Sequence, residues 1–214
     1  MKVGHNVAKN HADEAKLFAI QTKPTRICFI MSKLVEKGDL LIAPVSLQDP
    51  NFAQSVVLIC EHTPGKGSFG LVLNQPVKAN SDLLNEFPYI RDNLFKGGPV
   101  NPEILQILHP YGDTVQDSVE IIEGVWLGGD VETLCQGFDS GSLSPEKCRF
   151  FLGYSGWSGD QLATEFDMRS WLRTAGDTDL IMHTPPDVMW NRAVRKLAGS
   201  NPLYANFPDS PSSN

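Results

Sequence analysis

Cys60, Glu61 and His62 set a thiol, a carboxylate and an imidazole side by side. A thiol with an imidazole as its base can act as a nucleophile. On a regular strand residues 60 and 62 would face the same way and could offer two metal ligands. Zinc needs at least a third ligand, and no second paired motif is present. His109 and His183 stand alone, as structural histidines do. No metal is therefore expected. Cys60 stays a candidate reactive thiol, although such a thiol needs an electropositive setting that this acidic stretch does not offer.

Two further stretches imitate known chemistry. "GKGSFGLV" (65–72) fits the glycine-rich phosphate loop of protein kinases. The lysine strand, the H-R-D loop and the D-F-G motif that must accompany it are missing. No Gly-Lys-Ser/Thr follows for a Walker A loop, and a strand, not a helix, follows Gly70, which rules out a dinucleotide fingerprint. The stretch reads best as a β-hairpin with glycines in its turn. "GYSGW" (153–157) imitates the nucleophile elbow G-x-S-x-G, but Trp157 stands where a small residue must relieve the turn. Only 28 residues separate Ser155 from His183, too few for the usual intervening elements. A tight turn capped by Ser158 or Asp160 is the simpler reading. The helix start there would still offer N–H groups to an anion.

The elements that must position these residues are short. Apolar runs predict strands at "DLLIAPV", "SVVLICEH", "FGLVLNQPV", "NLFKGGPV", "EILQILHP", "SVEIIEGVWLGG", "KCRFFLGYSGW" and "DLIMHT". Helices are expected at "SDLLNEF" behind a Ser cap, "DVETLCQGF" behind an Asp cap, "DQLATEFDMRSWL", and "PPDVMWNRAVRKLAG". About eight strands and four helices without regular alternation imply an α+β fold with a mixed, strongly bent sheet.

With 214 residues, 41% of them hydrophobic, the chain can bury one real core. No run approaches the roughly 20 apolar residues of a membrane span, and no signal peptide is evident, so the chain reads as soluble and cytoplasmic. Four scattered cysteines (28, 60, 135, 148) without C-x-x-C spacing read as free, mostly buried thiols. Residues 1–35 carry six Lys/Arg against Asp13 and Glu14, which leaves twelve basic against twenty-three acidic residues in the remainder. A body this acidic repels phosphate backbones and argues against direct nucleic-acid binding. Residues 1–30 read as an N-terminal extension, either a loosely held arm or a mis-set start ahead of Met31, with a single domain over 31–214.

Taken in order, "GDLLIAPVSLQDPNFAQSVVLICEH", "GSFGLVLNQPV", "FKGGPV", "LHP", "GVWLGGD", "FFLGYSGWSGDQLATEF" and "SWL" resemble the AlgH/YqgE family of bacteria from about Gly38 onward. The resemblance implies a compact α+β domain whose bifurcated, bent sheet forms a pseudo-barrel flanked by helices. It implies no established activity and no cofactor. One branch of that family carries the label of putative transcriptional regulator; no helix-turn-helix signal accompanies it here. Carried over, the family pattern marks Asp49, Pro50, Phe52, Glu61, His62, Gly70, Asn74, Pro76, Gly97, Gly98, Pro99 and His109. It also marks Gly153, Tyr154, Gly156, Trp157, Gln161, Leu162 and Glu165. Asp160 replaces the usual glycine, which would weaken any anion site there.

Many of these residues set backbone shape. The others (Glu61, His62, Asn74, His109, Tyr154, Trp157, Gln161 and Glu165, with Gly97 and Gly98) would line one cleft if the hairpin, the "GGPV" turn and the "YSGW" turn converge. The reading that follows is a non-enzymatic domain with a regulatory role that binds a small molecule or a protein. The alternatives are an enzyme using the Cys60/His62 region or the Tyr154–Gln161 turn, and a regulator that contacts DNA directly.

Overall fold

A computed structural model describes residues 35–90 and 92–200, with only the backbone of Ser200. The expectations for residues 1–30 fall outside the described residues. In chain order the strands are β1 (Asp39–Ile42), β2 (Val56–Thr63), β3 (Gly67–Val72), β4 (Leu94–Lys96), β5 (Val100–His109), β6 (Ser118–Ile122), β7 (Val125–Gly128), β8 (Arg149–Ser158) and β9 (Leu172–Ala175). The α-helices are α1 (Ser81–Glu86), α2 (Val131–Ser140), α3 (Gln161–Asp167) and α4 (Pro186–Ser200). The architecture is α+β.

One nine-stranded sheet runs β6-β7-β5-β8-β3-β2-β1-β9, with β4 branching from β8. Every pairing is antiparallel except β4 with β8. The branch makes a fork. On one side, β8 pairs with β4 along Phe150–Leu152 and then with β3 along Ser155–Ser158. The switch falls at Gly153, whose φ is +66°. The sheet also curls, as a half-barrel, far enough for two side chains beside its β1 and β9 end to reach the β6–β7 end. Lys37 Nζ donates to Glu120 O at 2.7 Å, and Thr178 Oγ1 donates to Glu123 O at 2.8 Å. Those bonds occupy carbonyls beside the β6 edge, which would otherwise be open to strand addition.

Three apolar clusters follow from strand alternation. Leu40, Ile42, Leu58, Leu71 and Phe151 face the concave side, where α4 adds Met189, Trp190, Ala193 and Leu197. Leu41, Val57, Ile59 and Val72 face the other side and pack against Trp157, Trp171 and, from α3, Leu162 and Phe166. Leu94, Ile107 and Phe150 pack beneath α2 and the chain around α1. Arg149 is buried in the concave core, 5% exposed. It donates to Ile181 O and, at 2.5 Å, to Leu73 O, and its guanidinium lies 4.2 Å from the Phe95 ring centre. Burial lowers its pKa to about 10, so the cation persists at neutral pH.

Several local expectations are corrected. "DLIMHT" is not a strand: Asp179–His183 forms a π-helical turn that buries Leu180 and Ile181. A short apolar run cannot by itself separate the two states. The helix expected over 160–172 stops at Asp167, because the chain reverses at Arg169 (φ +58°) and Leu172 opens β9. Asn80, not Ser81, caps α1, accepting from Leu83 N at 2.8 Å. Asp130 does cap α2, through a 3.0 Å bond from Thr133 N. Neither Asp160 nor Ser158 caps α3 through its side chain; instead Gln161 Oε1 accepts from Ser158 N at 3.2 Å.

Candidate functional site

The β2–β3 hairpin turns over Pro64–Lys66 and pairs cleanly except at one point. The register slips between Ile59 and Glu61, which leaves Cys60 as the extra residue of a β-bulge. The bulge breaks the simple alternation, so Cys60 and His62 do not face the same way. Cys60 points into the concave core at 3% exposure, and burial raises its thiol pKa far above the ordinary range. His62 lies opposite Ser68, which lies opposite Trp157, so these three share the other face. His62 Nδ1 is 2.8 Å from Ser68 Oγ. Glu61 lies opposite Phe69, whose ring packs on Tyr154 with centres 5.1 Å apart. Glu61 and Tyr154 are thus separated by the sheet from His62 and Trp157.

On the His62 face, Glu165 is the centre of a closed network. Its Oε2 accepts from Trp157 Nε1 at 2.8 Å and from Trp171 Nε1 at 2.7 Å. Its Oε1 accepts from Gln161 Nε2 at 2.9 Å. Helical spacing places Gln161 and Glu165 one turn apart. Phe52 covers the two indoles, with centres 6.5 Å from Trp157 and 5.4 Å from Trp171. The loop carrying Phe52 is tied down by residues after β3 and by β4. Asn74 Nδ2 donates to Gln54 O at 2.9 Å, and its Oδ1 accepts from Val56 N at 2.9 Å. Gln75 Nε2 donates to Asn51 O, and Lys96 Nζ donates to Asn51 Oδ1, both at 2.8 Å.

Gly97 and Gly98 make the fork possible. Gly97 N donates to Leu152 O, while its carbonyl accepts from Val72 N at 2.8 Å and from Ser155 Oγ at 3.2 Å. A side chain at Gly97 would place its Cβ 2.3 Å from Gly153 O; one at Gly98 would lie 2.2 Å from Tyr154 O. Ser155 sits within β8 at 1% exposure, so "YSGW" is strand and Ser155 is no elbow nucleophile. His109 is remote from this face, at the end of β5 beside β7. Its Nε2 lies 2.8 Å from Gly128 O, and its Nδ1 accepts from Tyr111 N at 3.2 Å. That pattern makes it a neutral Nε2–H imidazole, and burial lowers its pKa.

The candidate residues therefore divide. His62, Trp157, Gln161 and Glu165 share one face; Glu61 and Tyr154 lie on the reverse; Asn74, Gly97 and Gly98 hold backbone; His109 stands apart. Ser68, Trp171 and Arg149 escaped the sequence reading. Ser68 could have been found by counting outward from the hairpin turn, and Arg149 as the charge next to the apolar run in "CRFFL". Among the described residues, no group of three or more His, Cys, Asp or Glu is placed to hold a metal ion. None of their helices is long and apolar enough to cross a membrane.

Among the described residues, open concave surface is found elsewhere. A groove of about 590 Å³ runs beside α1, lined by Pro76–Ala79, Leu84, Ile90 and Asp92. Val77 and Leu84 are 37% and 39% exposed on its walls, and Ile90 is buried in its floor. A second hollow of about 500 Å³ lies between Tyr89 and the end of α2, where Tyr89 Oη donates to Asp139 Oδ1 at 2.7 Å.

Residues 40–202 match the family model described as AlgH-like. A UPF0301 protein of Chlorobaculum tepidum is 37% identical over 183 residues, covering 85% of this chain and 97% of its own. A UPF0301 protein of Bacteroides thetaiotaomicron is 35% identical over 184 residues, covering 85% of this chain and 92% of its own. The solution structure of the AlgH protein from Pseudomonas aeruginosa aligns with a TM-score of 0.62 at 28% identity, over 83% of this chain and 95% of that one. A crystal structure of a Corynebacterium diphtheriae protein gives the same TM-score at 23% identity, a likeness of fold. The matched family and the forked, curled sheet agree: the chain belongs to the AlgH-like (UPF0301) family.

Proposed function

We propose that this domain works by binding, not by catalysis, and that its docking surface is the groove beside α1. One observation carries this reading. The side chains with the best chemical credentials are engaged inside the fold: Cys60 in the core, His62 with Ser68, His109 between two backbone groups, Glu165 with three donors. The groove, by contrast, presents apolar walls to solvent and, among its described lining residues, no nucleophile paired with a base. Apolar concavity with a few polar groups at the rim suits a small molecule or a protein segment. A regulatory role would then act through a bound partner, since an acidic body disfavours direct DNA contact.

The test is a thermal-shift screen of a small-molecule library. A ligand that binds only the native state raises Tm. Specific ligands should lose their shift in Leu84→Asp and keep it in His62→Ala. Shifts that depend on His62 and ignore Leu84 would overturn the assignment.

A further inference from the structure

The hollow between Tyr89 and the end of α2 is lined differently from the groove beside α1. Phe138 and Leu143, each 8% exposed, form its apolar floor, with Tyr89 beside them. The Tyr89 and Phe138 rings lie with centres 5.0 Å apart. Asp139 and Glu146 bring carboxylates to the hollow, and its described lining holds no Lys, Arg or His. Glu146 already accepts from Ser144 Oγ at 2.5 Å, so the weight falls on Asp139.

Asp139 runs against the electrostatics of its own helix. It sits in the last turn of α2, where a helix presents its carbonyl ends and its negative pole. A cation is favoured at that end, yet the last turn has no basic residue. Asp139 Oδ1 accepts from Tyr89 Oη at 2.7 Å, which fixes the carboxylate against the ring. The same bond is the main cause that raises the Tyr89 pKa to about 12, so the phenol stays neutral at pH 7. Three features thus favour a positive guest: a carboxylate held in position, the negative end of a ten-residue helix, and two aromatic rings, whose faces attract cations. The apolar floor suits an aliphatic stem, and a volume of about 500 Å³ suits a small molecule or a single side chain.

We propose that this hollow binds an organic cation, an ammonium or guanidinium group on an aliphatic stem, with Asp139 as its counter-ion and the Tyr89 and Phe138 rings against it. The site does not rest on the groove beside α1. A free polyamine and the lysine or arginine side chain of a protein both offer this chemistry.

The test is an NMR titration of the full 214-residue protein, with spermidine and N-acetyl-arginine amide as probes. A net charge of −7 draws cations weakly to the whole surface, so location decides. Amide shifts should centre on Tyr89 and on Phe138–Glu146. Affinity should fall about tenfold in Asp139→Asn, the scale of one lost bond to a charged group. It should fall about threefold in Tyr89→Leu. Glu103→Gln, which removes an exposed carboxylate outside the hollow's lining, should leave it unchanged. N-acetyl-citrulline amide, the uncharged counterpart of the arginine probe, should not bind. Tighter binding of spermidine assigns the site to free polyamines; tighter binding of the blocked arginine assigns it to a protein side chain. The proposal is overturned by equal losses in Glu103→Gln and Asp139→Asn, which mean diffuse attraction to an acidic surface. It is overturned equally by citrulline binding as tight as arginine binding, or by an absence of shifts around Tyr89.

Discussion

The face beneath Phe52 and the groove beside α1 make opposite uses of their side chains. Beneath Phe52, two indoles, an amide and a carboxylate close on one another, and the loop above them is fastened at Asn51, Gln54 and Val56. Beside α1, Val77 and Leu84 face water, and α1, only six residues long, buries no side chain completely. The first region is dense in the motifs by which the family is recognised; the second has few of them. Motif density here follows backbone geometry: forks, bulges and anchored loops tolerate few residue types. A docking surface asks only for shape and apolarity, which many sequences can supply.

If that contrast is right, damage to the first region should cost stability, and damage to the second should cost binding alone. The largest effect is expected at the fork. Gly97→Ala forces a Cβ against Gly153 O, which is backbone and cannot step aside. It should lose at least ~3 kcal/mol, read as a lower urea midpoint, or fail to fold. Next, Glu165→Leu strands two buried indole N–H groups and should cost about 2–4 kcal/mol. Glu165→Gln keeps one acceptor oxygen and should cost about half as much.

A smaller effect depends on pH. Burial holds the His109 pKa below its unfolded value near 6.5, so the unfolded chain binds the proton first as pH falls. Its contribution is fully present above pH ~6.5 and is lost as pH drops through the folded-state pKa, by at most ~1.4 kcal/mol per pH unit. Urea midpoints between pH 8 and about 5 should fall less steeply in His109→Gln than in the parent. The smallest stability effect is expected at Leu84→Asp, within ~0.5 kcal/mol, because the site is already exposed.

Much of the fold was legible because local signals and tertiary structure agree. All four α-helices fall on runs read as helix, though α3 is shorter than expected; β1 to β5 and β8 fall on runs read as strands, while "SVEIIEGVWLGG" splits into β6 and β7; and Asp130 caps α2 as its type demands. What stayed hidden depends on pairing. A bulge at Cys60 leaves no trace in composition, yet it sends the thiol and His62 to opposite faces. The turn at Asp179–His183 has the apolarity of a strand; its conformation comes from packing beneath α4 and from Asp177 Oδ1, which accepts from Leu180 N at 2.8 Å. In the candidate site, Gln161 and Glu165 could be paired from helical spacing. Trp171 as a second donor could not, because the chain reversal at Arg169 that delivers it is a tertiary event.

The central claim is that the motif residues hold the fold while the groove does the binding. The most direct measurement sets Glu165→Gln against Leu84→Asp, reading Tm with and without a ligand from the screen. Glu165→Gln should melt lower than the parent yet keep the ligand-induced rise; Leu84→Asp should melt like the parent and lose the rise. The reverse pattern, with binding lost in Glu165→Gln and retained in Leu84→Asp, would place the working site beneath Phe52 and contradict the claim.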